Sequence, residues 1–148
     1  MKRDARGLEL STDGGEAAML FDRAVAHYLK YHADTMSLVN DAVAADPGFV
    51  MGHRIKGTLL LAGANPAQRP DIDASLAAAE AGAAIVTPRD QRHVAAFAAC
   101  RRGAYGDAFA IWRTLLDAGP TNLLALRVSN LMYFRYGQSQ AVAISPRR

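Results

Sequence analysis

The sequence lacks the features of secreted and membrane-spanning proteins. A single cysteine, Cys100, excludes an intrachain disulfide framework and indicates a reducing compartment. No window approaches about 18 consecutive apolar residues, so we expect no transmembrane helix. Residues 1–4 lead into charged and glycine-rich sequence instead of an apolar signal segment, so we expect no secretory signal. The resulting prediction is a cytoplasmic protein with no membrane partner.

Motifs for binding metals, phosphates and nucleic acids are also missing. The four histidines show no HExxH spacing, and a single cysteine cannot form a CxxC pair. Aromatic residues make up only 7% of the chain, and they are not interleaved with the arginines as in nucleic-acid-binding segments. The sequence therefore predicts no cofactor, no metal site and no nucleic-acid partner.

The residues that are abundant favour helices. Hydrophobic residues make up 51% of the 148 residues, and much of that share is alanine, the strongest helix former. Apolar residues recur at spacings of three and four, and no segment alternates with a period of two. A chain of this length forms one domain of ordinary size. We therefore predict a single all-α domain of about seven helices.

The helical domain is predicted to span residues 16–137. Residues 1–15 show no periodicity and are predicted to form a lead-in loop, and residues 138–148 are predicted to form a disordered tail. Pro47 ends the second helix, and the fourth helix is predicted to continue to Val86.

The most regular stretch begins at Thr87. This residue is predicted to cap a helix that starts at Pro88, and Asp90 stands three residues after the cap, as in a capping box. Gly103 ends this helix and opens the turn to the next one. The next helix carries an apolar stripe formed by Ala108, Ile111, Trp112, Leu115 and Leu116. Neither helix can bury its stripe alone, so the pattern predicts packed neighbours.

The pattern Gly103-x-Tyr105-x-x-Ala108, followed by Trp112 and Pro120, resembles the tetratricopeptide (TPR) unit, a helix–turn–helix repeat of about 34 residues. In that unit the small residue packs where two helices cross, and the aromatic residue fills the space between them. The residues to which the resemblance gives structural roles are Pro47, Gly103, Tyr105, Ala108, Trp112 and Pro120.

Four longer segments resemble the tetratricopeptide repeat protein 38 family. They are residues 46–53, 89–94, 120–126 and 132–137, which read DPGFVMGH, RDQRHV, PTNLLAL and MYFRYG. The resemblance implies a TPR-like, right-handed α-solenoid, in which antiparallel helical hairpins stack on one another. Its landmarks include no catalytic motif, so it implies a scaffold that binds a protein or peptide.

In such stacks the first helix of each pair lines a concave groove, and this register predicts partner-binding residues. They are Phe49, Lys56, Arg89, Asp90, Arg92, His93, Phe97, Ser129, Met132 and Tyr133. Arg89 and Arg92 stand at the start of a helix, where free amides and two guanidinium groups favour a carboxylate or another anion. An alternative of equal weight is that the groove residues pack against further repeats.

Asp90 and His93 allow a second interpretation, in which the chain is an enzyme or a small-molecule or anion binder. The two residues lie three apart on one helix, so the carboxylate can orient the imidazole as a general base, with His53 or Cys100 nearby. We favour a capping acid beside a packed histidine, and a core thiol at Cys100. The sequence therefore predicts a protein-binding module with no catalytic activity of its own.

Charge is unevenly distributed along the chain. Residues 1–84 hold 8 Lys/Arg and 11 Asp/Glu, whereas residues 85–148 hold 9 Arg and 3 Asp. The basic second half can attract an acidic partner, although scattered and solvated arginines explain it more simply.

The last predicted helix is apolar on nearly every side. Leu124, Val128 and Leu131 form one stripe, and Leu126 and Phe134 lie elsewhere around it. A terminal helix of a repeat array needs a polar outer face. The sequence therefore predicts that this helix pairs with a second copy of the chain or with a helix of a partner.

Overall fold

The structure is a computed structural model that describes residues 2–3, 9–30, 33–119 and 123–136, with side chains placed in 9–30, 33–119 and 125–132. Within these residues there are seven α-helices. They are α1 (Gly15–Leu29), α2 (Thr35–Ala45), α3 (Val50–Ala62), α4 (Arg69–Gly82), α5 (Pro88–Arg101), α6 (Tyr105–Ala118) and α7 (Leu123–Tyr136). The prediction of an all-α fold is confirmed for this part of the chain. Pro120 and the predicted tail lie outside the described residues.

The exceptions to the helical fold are short. Two-residue strands, β1 (Lys2–Arg3) and β2 (Glu9–Leu10), pair in the antiparallel sense, and 3-10 turns occupy Pro66–Gln68 and Ala83–Ile85. The second of these turns replaces the predicted continuation of the fourth helix, because α4 ends at Gly82, a residue that disfavours helix. Across the described ranges, no helix combines the length and the hydrophobicity needed to cross a lipid bilayer.

Both ends of α5 follow the local signals in the sequence. The Thr87 hydroxyl accepts a hydrogen bond from the Asp90 amide at 3.2 Å, and Pro88 is the first helical residue. Proline suits that position because its missing amide would have no partner inside the helix. At the other end, Gly103 has φ +81°, the left-handed conformation that favours glycine after a helix. The predicted cap, start and stop of this helix are confirmed.

The helices pack chiefly in consecutive pairs. α1 lies against α2, α3 against α4 and α5 against α6, and α3 also contacts α5. α7 packs on α6 and reaches α1 and α3, so the last helix contacts the first. One hydrophobic core extends from α1 to α7, and in it the Phe21 and Phe49 rings meet edge to face with centroids 5.1 Å apart.

The segment before α1 is docked on the helices. Leu10 is buried in the core, and the Thr12 hydroxyl donates a hydrogen bond to the Asp46 carboxylate at the end of α2. The position of residues 9–12 is fixed by contacts with distant helices. Such contacts leave no repeating pattern in the sequence. We call residues 9–12 the N-terminal segment.

Gly57 allows α3 and α5 to approach closely. Adding a methyl group at this position, as in Gly57→Ala, is therefore predicted to have a large effect on stability. A Cβ at Gly57 would lie 2.1 Å from Cζ of Phe97 and 3.0 Å from Cβ of Ser75. We expect Gly57→Ala to lower the free energy of unfolding by about 1–3 kcal/mol, because Phe97 is fully buried and has little room to move. Urea unfolding followed by circular dichroism measures this.

The matched control is Gly15→Ala in the first turn of α1. A Cβ at this position meets nothing within 4 Å, so the substitution is expected to be neutral or to stabilise by up to about 1 kcal/mol. Equal losses in the two variants would contradict the close approach at Gly57.

Candidate functional site

Five of the predicted groove residues are buried inside the described structure. They are Phe49, Asp90, His93, Phe97 and Met132, each with an exposed fraction of 0%. Met132 is buried because α7 contacts α1 and α3. The side chains of Ala125, Val128 and Met132 on α7 therefore lie in the core. These five side chains are therefore not accessible to a partner in this structure.

The other predicted groove residues are more accessible. Lys56, Arg89 and Ser129 are half-buried, and Arg92 is exposed. The side chain of Tyr133 lies outside the described residues. Whether any of these positions touches a partner stays a prediction.

The start of α5 is closed by the N-terminal segment. The Ser11 hydroxyl donates a hydrogen bond to Oδ2 of Asp90 at 2.7 Å and accepts one from the Thr87 amide at 3.4 Å. In a complete capping box the acidic side chain reaches the cap amide directly. Here Ser11 stands between the two groups, so the predicted capping box is completed by a residue from another part of the chain.

Arg89 is engaged by the chain itself. Its Nη2 atom donates a hydrogen bond to the Glu9 carbonyl at 2.7 Å and lies 3.1 Å from Oδ1 of Asp90 in an ion pair. The predicted anion cradle at this helix start is thus largely occupied by internal groups, and Arg92 remains exposed beside it.

The helix start leads into a group of buried ionisable side chains, which we call the interior polar cluster. It consists of Arg54 on α3 and of Asp90, His93 and Cys100 on α5. Burial raises the pKa of Asp90, against the opposing effect of Arg89 and of the hydrogen bond from Ser11. Burial also raises the pKa of the Cys100 thiol to about 12, so the thiol stays protonated and is a poor nucleophile at neutral pH.

His93 is held as a neutral imidazole. Complete burial lowers its pKa well below the usual value, and the positive charges of Arg54 and Arg89 lower it further. A general base needs a pKa near the working pH and contact with its substrate. A buried imidazole with a strongly lowered pKa meets neither condition, which weighs against the interpretation of Asp90 and His93 as a catalytic pair.

Arg54 is the member of the cluster that the sequence did not single out. Its side chain is 0% exposed, and none of its three guanidinium nitrogens has a hydrogen-bond partner among the described residues. Burial lowers its pKa to about 10, and the nearby Tyr28, Cys100 and Asp90 act in the opposite direction. Arg54 therefore keeps its positive charge at neutral pH, and no carboxylate in the described part of the chain is in direct contact with it.

His53 lies apart from this cluster. It is half-buried, and its Nε2 atom donates a hydrogen bond to the carbonyl of Pro47 at 2.6 Å. The imidazole thus links the start of α3 to the turn that precedes it. Across the described ranges, no three His, Cys, Asp or Glu side chains come together in a way that could hold a metal ion.

Four of the six residues with predicted structural roles, Gly103, Tyr105, Ala108 and Trp112, lie in and around the α5–α6 turn, and Pro47 lies between α2 and α3. Ala108 and Trp112 are buried in the core, and Tyr105 is half-buried against it. The ring centroids of Phe109 and Trp112 are 6.0 Å apart. Trp112 is the largest fully buried side chain among the described residues.

A surface groove opens on the other side of the N-terminal segment. It encloses about 510 Å³ and lies between that segment, the end of α2 and the turn after α4, and we call it the α2–α3 groove. Its lining includes Thr12, Asp13, Asp46, Val50, Ile85 and Val86. Ile85 is 84% exposed, the highest value among the large hydrophobic residues described. The sequence offered no signal for this groove, because distant segments form it.

Comparison with known proteins gives no assignment. No protein-family model matches the sequence, and no solved structure matches the fold.

Proposed function

We propose that the chain is a protein-binding module, built as a TPR-like, right-handed stack of helical hairpins, with no catalytic activity of its own. The pairing of α1 with α2, α3 with α4 and α5 with α6 supports this architecture. The burial of Ala108 and Trp112 also agrees with the TPR resemblance. The protonated thiol of Cys100 and the neutral, buried His93 favour binding over catalysis.

The observation that carries the proposal is the exposed Ile85 in the α2–α3 groove. Ile85 is 84% exposed and shares the groove lining with Val50 and Val86, so it belongs to a concave, partly apolar surface of the kind that partner contacts cover. Val50 and Val86 provide an apolar floor, and the carboxylates of Asp13 and Asp46 lie on the lining. The partner that fits is a peptide or loop that places an apolar side chain on Ile85 and a Lys or Arg near the carboxylates.

The test compares two exposed hydrophobic residues. Ile85→Asp is expected to weaken binding of a captured partner at least about tenfold, because it places a charge at the centre of the contact. Met19→Asp is the matched control, since Met19 is 53% exposed on α1 and does not line the groove. The full chain is used as bait, and the affinity of each captured protein is then measured for the wild type and both variants.

Neither substitution is expected to unfold the chain, because both side chains are exposed. Loss of the partner in Ile85→Asp alone supports the groove as the binding surface. Equal affinity in the three proteins would place the binding surface elsewhere.

Two earlier predictions concern other surfaces and stay predictions. The arginine-rich second half remains a candidate surface for an acidic partner. Self-association through α7 now rests on fewer residues, since Ala125, Val128 and Met132 are buried and Leu126 is 42% exposed.

A further inference from the structure

Arg54 brings a positive charge into the interior that no neighbour neutralises by contact. All three guanidinium nitrogens are buried, and none has a hydrogen-bond partner within the described residues. Leaving a buried charged donor without a partner costs more free energy than almost any other polar defect. Such a group in a native protein therefore calls for an explanation, and a bound ion that pairs with it is one.

The nearest buried acid does not supply this counterion. Asp90 already accepts a hydrogen bond from Ser11 and forms an ion pair with Arg89 at 3.1 Å. One carboxylate thus stands against two guanidinium groups, and Arg89 is the one in contact with it. Counted together with Arg89, the interior polar cluster carries one positive charge in excess, because His93 and Cys100 are neutral.

The N–H groups of the Arg54 guanidinium determine which kind of anion can pair with it. A guanidinium presents five N–H groups in a plane, and a carboxylate matches two of them with two parallel hydrogen bonds. A single excess charge is balanced by a monoanion and not by a dianion. The surrounding side chains, Tyr28 from α1 and Cys100 from α5, are uncharged and suit a small organic group attached to the carboxylate.

We infer that Arg54 binds a small organic monocarboxylate in the interior, between α1, α3 and α5. Because Arg54 is 0% exposed, the ligand reaches it only when neighbouring helices separate. α7 is placed to control this access, since it contacts both α1 and α3. Its Arg127 guanidinium carbon lies 5.3 Å from the centroid of the Tyr28 ring, next to the cluster. This site is separate from the α2–α3 groove, so either proposal can fail without the other.

The experiment measures thermal unfolding of the full chain in sodium acetate and sodium propionate, against sodium chloride at equal ionic strength. The wild type is expected to show a rise in Tm that grows with the logarithm of the carboxylate concentration above Kd and reaches about 5–10 °C at a hundredfold excess of ligand over Kd. Arg54→Met keeps the volume of the side chain and removes the charge. Without ligand its Tm is expected to lie above that of the wild type, and the logarithmic rise with carboxylate is expected to be absent.

Two controls separate binding from general salt effects. Arg113→Met removes an exposed arginine of α6 and is expected to keep the full response of the wild type. Excluded salts stabilise many proteins without binding, but their effect grows steadily with concentration and is the same in every variant. The same rise in the wild type and Arg54→Met overturns the inference.

Calorimetric titration of the wild type with propionate keeps the test decisive if Arg54→Met does not fold. Saturable heat in the wild type and in Arg113→Met is the expected result. Absence of saturable heat in the wild type overturns the inference and leaves Arg54 as a distant counter-charge to Asp90.

Discussion

Trp112→Ala is expected to lower the free energy of unfolding by about 3–5 kcal/mol, the usual cost of truncating a large aromatic residue in a core. Trp112 is 1% exposed, and it lies in the same core cluster as residues of α1, α3, α5 and α7. The cavity left by the indole would therefore weaken the packing of several helices together. Urea or guanidinium unfolding, followed by circular dichroism, measures the loss.

Trp112→Phe is the matched control for this substitution. The indole Nε1 atom has no hydrogen-bond partner among the described residues, so phenylalanine removes volume without breaking a hydrogen bond. We expect a cost of about 1–2 kcal/mol, well below that of alanine. A loss as large as that of Trp112→Ala would show that the indole nitrogen contributes more than the ring volume.

Acidification is expected to destabilise the protein through His93. In the unfolded chain an imidazole takes up a proton below about pH 6.5, whereas burial and the charges of Arg54 and Arg89 keep the folded imidazole neutral. The unfolded state therefore binds more protons, and stability falls as the pH falls. Between pH 7 and pH 5 this amounts to at most about 2 kcal/mol, since each pH unit below the unfolded pKa contributes up to about 1.4 kcal/mol while the folded imidazole stays neutral.

Unfolding in urea at pH 7, 6 and 5 measures this slope for the wild type and for His93→Gln, which cannot be protonated. The variant is expected to be less pH-dependent than the wild type in this window, whatever its absolute stability. Asp90 has the opposite effect on stability at lower pH. Its pKa is raised in the folded state, so the folded state binds more protons there and the contribution of Asp90 to stability increases as the pH falls. Identical slopes in the two proteins would mean that His93 can be protonated in the folded state.

Much of the helical architecture was predictable because its signals are local. Thr87, Pro88 and Gly103 lie next to the backbone groups they affect, so the ends of α5 follow from residue chemistry alone. The stripe that contains Trp112 shows which face of α6 is buried without showing what covers it. The role of Ser11 has no local signal, since its partner Asp90 lies 79 residues away in the chain.

The candidate site was less predictable than the fold. Asp90 and His93 were singled out from their spacing, but burial changes what they can do, and burial depends on how the helices pack. Arg54 stands beside the apolar residues Met51 and Ile55 on α3, and a charged residue next to a buried stripe is the signal that could have identified it. Sequence patterns assign charged residues to the surface by default, so that signal is easily overlooked.

The docked N-terminal segment also has a consequence for the order of folding. Its hydrogen bonds from Thr12 to Asp46 and from Ser11 to Asp90 close loops of 34 and 79 residues. By loop-closure entropy alone, the longer closure costs about 0.7 kcal/mol more than the shorter one. Contacts so distant in sequence raise the contact order of a helical chain and slow its folding. During synthesis the N-terminal segment is made before its partners, so its full set of contacts forms only after α5 has also emerged from the ribosome.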